Sequence, residues 1–476
     1  MSRKWSLPVI ALIASLLPSI NFAANPLSPG APVNVTATTA AAGAVVTPPV
    51  VSGNATGFMT TFTIFNTVGF SPSFFAFSGF SSNDGASWTT PPINTLTTTD
   101  VFPTWVSGNA TGFVASWVDT DPSGPPSSNA PNTSLYQSGT WSSPDQIDNA
   151  EPATIYSVVA GTTVGFVVTW RGSNALWSSF APSGTSWTDH MIHGICAMTS
   201  QVFVSGVSSN FMAILEESGV GHPFFSDDGA GAIWTPMSLL FPSVPAASDF
   251  WISGTTDGFM VTWRDTSEDA FSSFTTDNGN TWSTASPIAT GLAANTDVAV
   301  SGSDVGFVAT WIDSMGGAHA SFSSDQGTTW SPAVTIDNNA FSSGTSAFAW
   351  FVGVSVVGSE VMFTWTGTDA NVYSSFCTIG GAPSVLQPPQ NLSGNQKKNK
   401  FGTFFERFNL LQWNPSPSTG VAGYYVYRNG VKIATLNATT FQYEDHNQKK
   451  GAVTSYAITA FDASGDESAP VDITIN

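Results

Sequence analysis

The pattern of apolar and polar residues contains a short motif, called the V-S-G phrase below, that recurs seven times along the chain. It reads V-S-G, a short gap, G-F and then V-x-T-W, with an apolar anchor eleven positions after the start. The copies start at Val51, Val106, Val159, Val204, Ile252, Val300 and Val354, and the anchors are Phe62, Trp117, Trp170, Leu215, Trp263, Trp311 and Trp365. The starts are 45 to 55 residues apart, which indicates a stacked or radial architecture whose units cannot bury their apolar faces alone.

Each unit divides into four short runs that predict β-strands. The runs are four to seven residues long, rich in β-branched and aromatic residues, and bounded by Gly, Ser, Asp or Asn. In unit six the predicted strands are 297–300, 306–311, 319–322 and 330–336. Helical periodicity is absent from the chain after the N-terminal segment, so the sequence predicts an all-β fold, namely a seven-bladed β-propeller with four-stranded blades.

Unit seven lacks a fourth strand of its own, because Cys377 is followed by T-I-G-G-A-P and no Trp. The segment 33–38 precedes unit one and belongs to no unit. We expect it to supply the missing outer strand and to close the ring, which covers the exposed sheet edges. An eighth, degenerate blade is the alternative.

The first 24 residues predict a secretory signal peptide. Arg3 and Lys4 precede an apolar run from Leu7 to Leu17, and small residues follow at Ala23 and Ala24. Eleven apolar residues are too few to span a bilayer, and no later segment reaches eighteen. We therefore expect an exported protein without a transmembrane segment in its mature form, either secreted or associated with the cell surface.

Charge divides the mature chain into two parts. Residues 25–384 contain 25 acidic residues and only two cations, Arg171 and Arg264, whereas residues 385–476 contain eight cations and seven acids. A region this acidic repels nucleic acid and favours neutral or cationic ligands. The two cysteines, Cys196 and Cys377, lie in units that are not neighbours in a ring, so we expect free thiols.

A second motif lies between the third and fourth strands of the units. It reads TTDNGNTW at 275–282, SSDQGTTW at 323–330 and SSNDGASW at 81–88. This resembles the Asp-box, or BNR repeat, of the sialidase superfamily, and the resemblance covers about residues 30–383. It implies structural turns rather than active-site groups, with the residues Asn83, Trp88, Asp277, Gly279, Trp282, Asp325, Gly327 and Trp330.

Residues 385–476 resemble a fibronectin type III domain. Trp413 matches the core Trp of the second strand, Asn429 and Gly430 match a two-residue hairpin turn, and Tyr456 matches the tyrosine corner. The stretch 395–401, with Lys397, Lys398 and Lys400, is expected to be an extended loop that is either simply solvated or a docking site for an anionic polymer.

The sialidase resemblance implies three arginines that hold the substrate carboxylate, and residues 25–384 contain only two arginines, Arg171 and Arg264. A glycoside hydrolase needs only two carboxylates, and acids are plentiful in the loops between the second and third strands. If a site exists, we expect it on that face. The candidates there are Arg171, Glu216, Glu217, Arg264, Asp265, Glu268, Asp269 and Asp313.

Metal sites are weakly indicated. Asp189, His190 and His193 lack a third partner with recognisable spacing for zinc, and Asp119 with Asp121 could hold calcium only outside the usual twelve-residue pattern. We therefore expect no cofactor. The favoured hypothesis is a non-catalytic module that recognises glycan or an extracellular protein. A glycoside hydrolase and a structural or assembly scaffold are the alternatives.

Overall fold

A computed structural model of the protein describes most of the chain after the predicted signal peptide. It covers residues 26–36, 44–45, 47–66, 73–90, 93, 100–101, 104–120, 129–147, 157–172, 175–194, 202–217, 220–240, 250–340, 350–380, 388–416, 421–462 and 468–475. These residues form 37 β-strands and no helix, which confirms the all-β prediction. Within the same ranges, no helix is long and apolar enough to cross a bilayer.

The strands form nine sheets, most of them four-stranded, and the paired strands are antiparallel. One short strand, β1 (Val33–Asn34), precedes the first unit. Sheet 1 consists of β2 (Ala44–Val45), β3 (Val50–Asn54), β4 (Gly57–Asn66) and β5 (Ser73–Ser81). Sheet 2 consists of β6 (Asp100–Val101), β7 (Trp105–Gly108), β8 (Phe113–Thr120), β9 (Asn129–Gln137), β10 (Thr140–Trp141) and β11 (Asp145–Gln146).

Sheets 3 to 6 each contain four strands in chain order. Sheet 3 consists of β12 (Ser157–Thr162), β13 (Gly165–Arg171), β14 (Ala175–Ala181) and β15 (Thr188–Gly194). Sheet 4 consists of β16 (Val202–Val207), β17 (Asn210–Glu217), β18 (Val220–Ser226) and β19 (Thr235–Pro236). Sheet 5 consists of β20 (Trp251–Thr255), β21 (Gly258–Arg264), β22 (Ala270–Thr275) and β23 (Ser286–Ala289). Sheet 6 consists of β24 (Ala299–Ser303), β25 (Gly306–Ile312), β26 (Ala318–Ser323) and β27 (Val334–Asp337).

Sheet 7 takes its fourth strand from the start of the chain. Its own strands are β28 (Gly353–Val357), β29 (Glu360–Thr366) and β30 (Val372–Thr378). Strand β1 pairs with β30, with Val33 opposite Ser374 and Asn34 opposite Tyr373. The predicted origin of the missing outer strand is therefore confirmed for these two residues, while residues 37 and 38 lie outside the described ranges.

The recurring V-S-G phrase lies in the first strand of each unit, and this strand contacts the first strand of the next unit. Strands β3, β7, β12, β16, β20, β24 and β28 contact one another in this order, and β28 contacts β3, which closes the series into a ring. Ser205 Oγ accepts a hydrogen bond from Gly254 N at 3.0 Å, and Ser253 Oγ accepts one from Gly302 N at 2.9 Å. A Cβ on Gly254 would lie 2.8 Å from a ring carbon of Phe259, so the glycine is needed for this close packing.

Residues 390–475 form two further sheets. Their strands are β31 (Gln390–Phe401), β32 (Phe404–Asn414), β33 (Val421–Arg428), β34 (Val431–Asn437), β35 (Gln442–Asp445), β36 (Thr454–Asp462) and β37 (Val471–Ile475). Sheet 8 has the order β31-β32-β35, and sheet 9 has the order β34-β33-β36-β37. Leu411 and Trp413 of sheet 8 share a buried core with Tyr424 and Tyr456 of sheet 9. The Tyr456 hydroxyl donates to Asp445 Oδ2 at 2.6 Å.

Two predictions of local structure are wrong. In unit six the first strand begins at Ala299 rather than 297, because Asp297 N donates instead to Trp350 O in the connecting segment. The fourth strand there begins at Val334 rather than 330. The stretch 395–401 is not a loop but the end of β31, which pairs with β32 throughout.

Candidate functional site

The predicted site residues lie on what we call the hairpin face, formed by the turns between the second and third strands of sheets 3 to 7. Arg171 ends β13, Glu216 and Glu217 end β17, Arg264 ends β21, Asp265, Glu268 and Asp269 lie in the turn before β22, and Asp313 lies in the turn before β26. The side chain of Glu216 lies outside the described part of the chain. The segments that connect one sheet to the next reach the same face, since Leu292 N donates to Glu268 O.

Arg264 is a buried cross-link rather than an open cation. Only 5% of the residue is exposed. Its Nε donates to Thr296 O at 2.9 Å, and its Nη1 forms an ion pair with the Glu268 carboxylate. These contacts tie the sheet 5 turn to the segment leading into sheet 6, so both charges are already engaged within the protein.

Asp265 and Asp313 shape their own turns. Asp265 Oδ1 accepts hydrogen bonds from Ser267 N at 2.8 Å and Asp269 N at 2.9 Å. Asp313 Oδ1 does the same with Met315 N and Gly317 N, both at 2.8 Å. Short polar side chains stabilise tight turns in this way, so these carboxylates have a structural role whatever else they do.

The charge state of Asp313 follows from its contacts. Burial alone would raise the pKa of its carboxyl group, but hydrogen bonds from Gly317 N, the His319 ring and Met315 N outweigh burial and lower that pKa below its ordinary value. His319 Nε2 lies 2.8 Å from Asp313 Oδ2. A general acid in glycoside hydrolysis needs a raised pKa, so Asp313 is poorly suited to that role.

Asp369 occupies the sheet 7 turn and resembles Asp313. The Tyr373 hydroxyl donates to Asp369 Oδ2 at 2.8 Å, as does Asn371 Nδ2 at 2.7 Å. Burial would raise the pKa of Asp369, but the hydrogen bonds from Asn371 and Tyr373 lower it overall. This residue was not among the predicted candidates, although its place after the sheet 7 anchor Trp365 was visible in the sequence.

Two other candidates differ in how they are held. Asp269 Oδ1 accepts a hydrogen bond from Gly291 N at 3.2 Å, which joins it to the same connecting segment as Glu268. Glu217 belongs to a different turn, where its carboxylate lies 3.8 Å from His222 Nε2. Arg171 is buried at the end of β13. The hydrogen bonds just described join the sheet 5 candidates to the connecting segment 291–296, and Glu217 is not among the residues they join.

Aromatic rings close the centre of the ring of sheets. Trp105 lies 5.2 Å from Phe203 and 5.2 Å from Trp251, and Trp251 lies 4.5 Å from Phe351, measured between ring centroids. Because these residues come from sheets 2, 4, 5 and 7, they can meet only in the middle. The sequence carried a signal for them that we did not use, since an aromatic residue directly precedes the phrase at Val106, Val204 and Ile252.

The motif at 275–282 folds into a turn held by Asp277. Its Oδ1 accepts from Thr281 N at 2.8 Å, its Oδ2 accepts from the Thr281 hydroxyl at 2.7 Å, and Gly279 has a φ of 88°. Asp325 holds the turn of sheet 6 with the same set of bonds. In sheet 1, Asn83 replaces the acid, and its Nδ2 donates to Ser87 Oγ at 2.9 Å.

In four of the described sheets, a tryptophan that follows the third strand links neighbouring sheets. Its indole N–H donates to a serine on the third strand of the preceding sheet. The four such bonds are Trp88 to Ser374, Trp141 to Ser78, Trp234 to Ser178 and Trp330 to Ser272, at 2.9 to 3.1 Å. We call each of these a junction bond. Sequence reasoning missed them because the partners lie at least 56 positions apart.

The junction between sheets 4 and 5 lacks this bond. Strand β18 carries Pro223 at the position that Ser272 occupies in β22, as the pairing of Pro223 with Ile214 and of Ser272 with Thr262 shows. The indole nitrogen of Trp282 is buried and has no hydrogen-bond partner among the described residues. One missing hydroxyl therefore distinguishes this junction from its neighbour.

A cleft of about 230 Å³ lies at the same junction. Its buried lining includes Leu240, Trp263 and Ser273, and its exposed lining includes Ser238, Ser283 and Thr284, with Trp282 between them. The Trp263 indole nitrogen is also buried and without a partner in the described part of the chain. The cleft thus combines aromatic rings and N–H donors with hydroxyl groups, and no charged side chain lines it. We call it the junction cleft.

Metal-binding and thiol groups add little. Within the described ranges, no three His, Cys, Asp or Glu side chains are grouped closely enough to share a metal ion. Asp121 and the side chain of Asp119 lie outside those ranges. Cys377 is a buried free thiol, and burial raises its pKa to about 11, which makes it unreactive at neutral pH.

Comparison with known proteins does not assign the chain to a family. No protein-family model matches it, and no curated protein matches it. Among solved structures it is similar to a protein of unknown function from Dyadobacter fermentans DSM 18053, with a TM-score of 0.45 and 12% identity over 74% of this chain and 99% of that chain.

Two similar structures have known activities. One is the fucose-binding lectin of Aleuria aurantia, a six-bladed β-propeller, with a TM-score of 0.39 and 14% identity over 61% of this chain and 98% of that one. The other is the sialidase of Trypanosoma rangeli, with a TM-score of 0.42 and 8% identity over 95% of this chain and 88% of that one. At these values the similarities identify no ligand for this chain.

Proposed function

We propose that the protein is an exported, non-catalytic binding protein that recognises a neutral glycan, and that the junction cleft holds one sugar ring of it. In this proposal residues 1–24 direct export and are removed. Residues 25–384 form a seven-bladed Asp-box propeller, and residues 385–476 form a fibronectin type III-like domain that serves as spacer or anchor.

Several features support this architecture. The first strands of seven sheets contact in a closed series, and the turns at Asp277 and Asp325 have the hydrogen bonds that an Asp-box turn requires. The C-terminal pair of sheets has three and four strands around one core that contains Trp413 and Tyr456. These features match the seven-strand sandwich of fibronectin type III domains.

The observation that carries the function is the chemistry of the junction cleft. Its volume of about 230 Å³ lies below that of pockets for drug-sized ligands, roughly 300–1,000 Å³, so it suits a single small ring. The buried N–H groups of Trp263 and Trp282 need acceptors, and an unsatisfied buried donor costs about 1–3 kcal/mol. A sugar offers hydroxyl oxygens to these donors and an apolar ring face to the half-buried indole of Trp282.

Charge favours a neutral ligand. Residues 25–384 carry an excess of 23 acidic residues, which repels anionic sugars such as sialic acid. The hairpin face offers little for hydrolysis, because Asp265 and Asp313 hold turns and Glu268 pairs with Arg264. Binding without turnover is therefore the function that these contacts support best.

The test is a glycan array probed with purified residues 25–476, in calcium and in chelator. We expect a confined set of neutral glycans to bind. The Thr284→Trp variant should lose at least tenfold in affinity, because its ring fills the cleft from an exposed position. The matched control is Pro332→Trp, which alters the equivalent exposed position of sheet 6, two residues after Trp330, and should bind as the wild type does.

Other outcomes have defined meanings. A blank array would contradict glycan binding and favour a protein partner or an assembly role. Hydrolysis of a bound glycan that is lost in Glu216→Gln or Asp265→Asn would establish the glycosidase alternative. Binding that survives Thr284→Trp unchanged would place the glycan somewhere other than the junction cleft.

A further inference from the structure

The longest hairpin among the described residues ends in exposed phenylalanines. Strands β31 and β32 pair up to the turn at Gly402, and β35 pairs with β32 only between Asn409 and Gln412. Arg407 O still accepts a hydrogen bond from Gln448 N. The last three cross-strand pairs are Asn399 with Glu406, Lys400 with Phe405, and Phe401 with Phe404. At about 3.3 Å per residue, these pairs extend the hairpin by roughly 10 Å.

Three large apolar side chains are solvated at this tip. Phe401 is 62% exposed, Phe404 is 78% exposed and Phe405 is 55% exposed. Single exposed apolar residues are common on protein surfaces, but three within five positions are a concentrated apolar site. They lie on a projecting hairpin rather than in a groove. A binding partner must therefore be one into which the apolar tip can insert.

Cations lie beside one of the exposed rings, that of Phe405. Lys398 Nζ lies 3.8 Å from the centre of the Phe405 ring, and the guanidinium carbon of Arg407 lies 5.6 Å from it. Lys397 and Lys400 lie on the same strand as Lys398. The one acid among them, Glu406, is engaged by His446 at 3.0 Å. Half of the eight cations of residues 385–476 therefore lie on this hairpin, in a protein whose formal charge is −20.

We propose that this hairpin tip docks the protein on a lipid bilayer that carries anionic headgroups. Phenylalanine rings enter the boundary between headgroups and acyl chains, and lysine and arginine side chains bind the anionic headgroups beside it. A soluble anionic polymer would engage the cations but gives no role to the three solvated rings. The acidic residues 25–384 are repelled by the same anionic membrane surface. The tip of the hairpin, rather than that region, therefore contacts the membrane.

The expected affinity changes follow from general magnitudes. Burying a phenylalanine side chain is worth about tenfold or more in partitioning. Each cation near an anionic surface contributes about fivefold, and this share falls as salt screens the charges. The inference does not depend on glycan binding, because it uses no residue of the ring of sheets.

The experiment is flotation of residues 25–476 with phosphatidylcholine vesicles and with vesicles of phosphatidylcholine and phosphatidylglycerol at a ratio of 7:3. We expect binding to the anionic vesicles that weakens in 0.5 M NaCl. Phe401→Ser combined with Phe404→Ser should reduce partitioning at least tenfold. The matched control is Val431→Ser, which removes a side chain that is 65% exposed next to another hairpin turn and should change partitioning less than twofold.

A second pair of variants tests the charges. Lys400→Gln should weaken binding to anionic vesicles about fivefold and leave binding to neutral vesicles unchanged, whereas Lys432→Gln on sheet 9 should do neither. All five substituted positions are exposed, so the thermal midpoint should stay constant. Equal binding to neutral and anionic vesicles, or no loss in the double phenylalanine variant, would overturn the proposal. So would capture by soluble heparin that competes fully with vesicles and is indifferent to both phenylalanines.

Discussion

The junctions on the two sides of sheet 5 differ at the position that can accept a hydrogen bond from the tryptophan after the Asp turn. Trp330 follows the Asp325 turn and donates to Ser272 of the preceding sheet, whereas Trp282 follows the Asp277 turn and the position equivalent to Ser272 is Pro223. The junction of sheets 5 and 6 therefore has a junction bond. The junction of sheets 4 and 5 has a cleft, and the indole N–H of Trp282 there has no partner among the described residues. The difference teaches that a repeated scaffold can leave a buried indole N–H without a partner where one serine of the repeat is replaced.

Removing either tryptophan should have the largest effect on this comparison. Trp330→Ala should lower the free energy of unfolding by about 3–4 kcal/mol, through lost burial and a cavity. Trp282→Ala should cost about 1–2 kcal/mol less, because no hydrogen bond is lost with it. Urea denaturation followed by circular dichroism measures both. Equal losses would show that the Trp330 junction bond adds nothing to stability.

Removing the acceptor should make the bonded junction resemble the open one. Ser272→Ala leaves the Trp330 N–H buried and unpaired, so we expect a loss of about 1–3 kcal/mol. The ¹⁵N-labelled indole resonance of Trp330 should move while that of Trp88, bonded to Ser374 elsewhere, stays in place. An unmoved Trp330 resonance would mean that Ser272 is not its partner in solution.

Supplying the acceptor should close the open junction, with a smaller effect. Pro223→Ser places a hydroxyl where Ser272 has one, and should raise the free energy of unfolding by about 0.5–1.5 kcal/mol. It should also weaken glycan binding, since the Trp282 N–H is then satisfied internally. Calorimetry and the array measure the two effects on one variant. Greater stability with full glycan affinity would separate the cleft from the missing bond.

Lowering the pH should reduce the stability of both junctions equally, and this effect should be the smallest of the four. Hydrogen bonds from the Thr281 N–H and hydroxyl lower the pKa of Asp277. Burial would raise the pKa of Asp325, but the hydrogen bonds from Thr329 lower it overall. A carboxyl whose pKa is lowered by folding stabilises the protein above its unfolded pKa, near 4, and loses that contribution as the pH falls through the folded value.

The measurement is the thermal midpoint from pH 7 to pH 2. Asp277→Asn combined with Asp325→Asn should be less stable at pH 7 and should show a shallower fall below about pH 4 than the wild type. Asn83 already serves in the sheet 1 turn, so asparagine is compatible with this conformation. Parallel curves for the two proteins would mean that neither carboxylate contributes to acid sensitivity.

Features that are local in sequence could be predicted, and features that depend on the neighbouring sheet could not. The all-β fold and the pairing of β1 with sheet 7 followed from strand patterns and from one unit that lacked a strand. The bonds of Asp277 reach Thr281, four residues away, and are visible in the motif spacing. The Lys-rich stretch 395–401 was misjudged because its polarity resembles a loop, although pairing with β32 makes it a strand.

The contacts of the candidate site residues were harder to predict than the fold, for a physical reason. Acidic residues in turns were proposed as ligands, but Asp265 and Asp313 have backbone N–H groups within two to four residues that bind their oxygens. Composition cannot distinguish such a carboxylate from a free one. The missing junction bond involves Pro223 of unit four and Trp282 of unit five, and no single unit of the sequence contains both residues.

The pairing of β1 with β30 also sets the order of events during synthesis. Ser375 Oγ donates to Gly30 O, so residues 345 positions apart must meet before sheet 7 is complete. The strand that leaves the ribosome first waits for one that leaves near the end of the ring, and contacts this distant in sequence form slowly. A nascent chain that stalls before β30 therefore carries six sheets with two open ends, which are free to pair with other stalled chains.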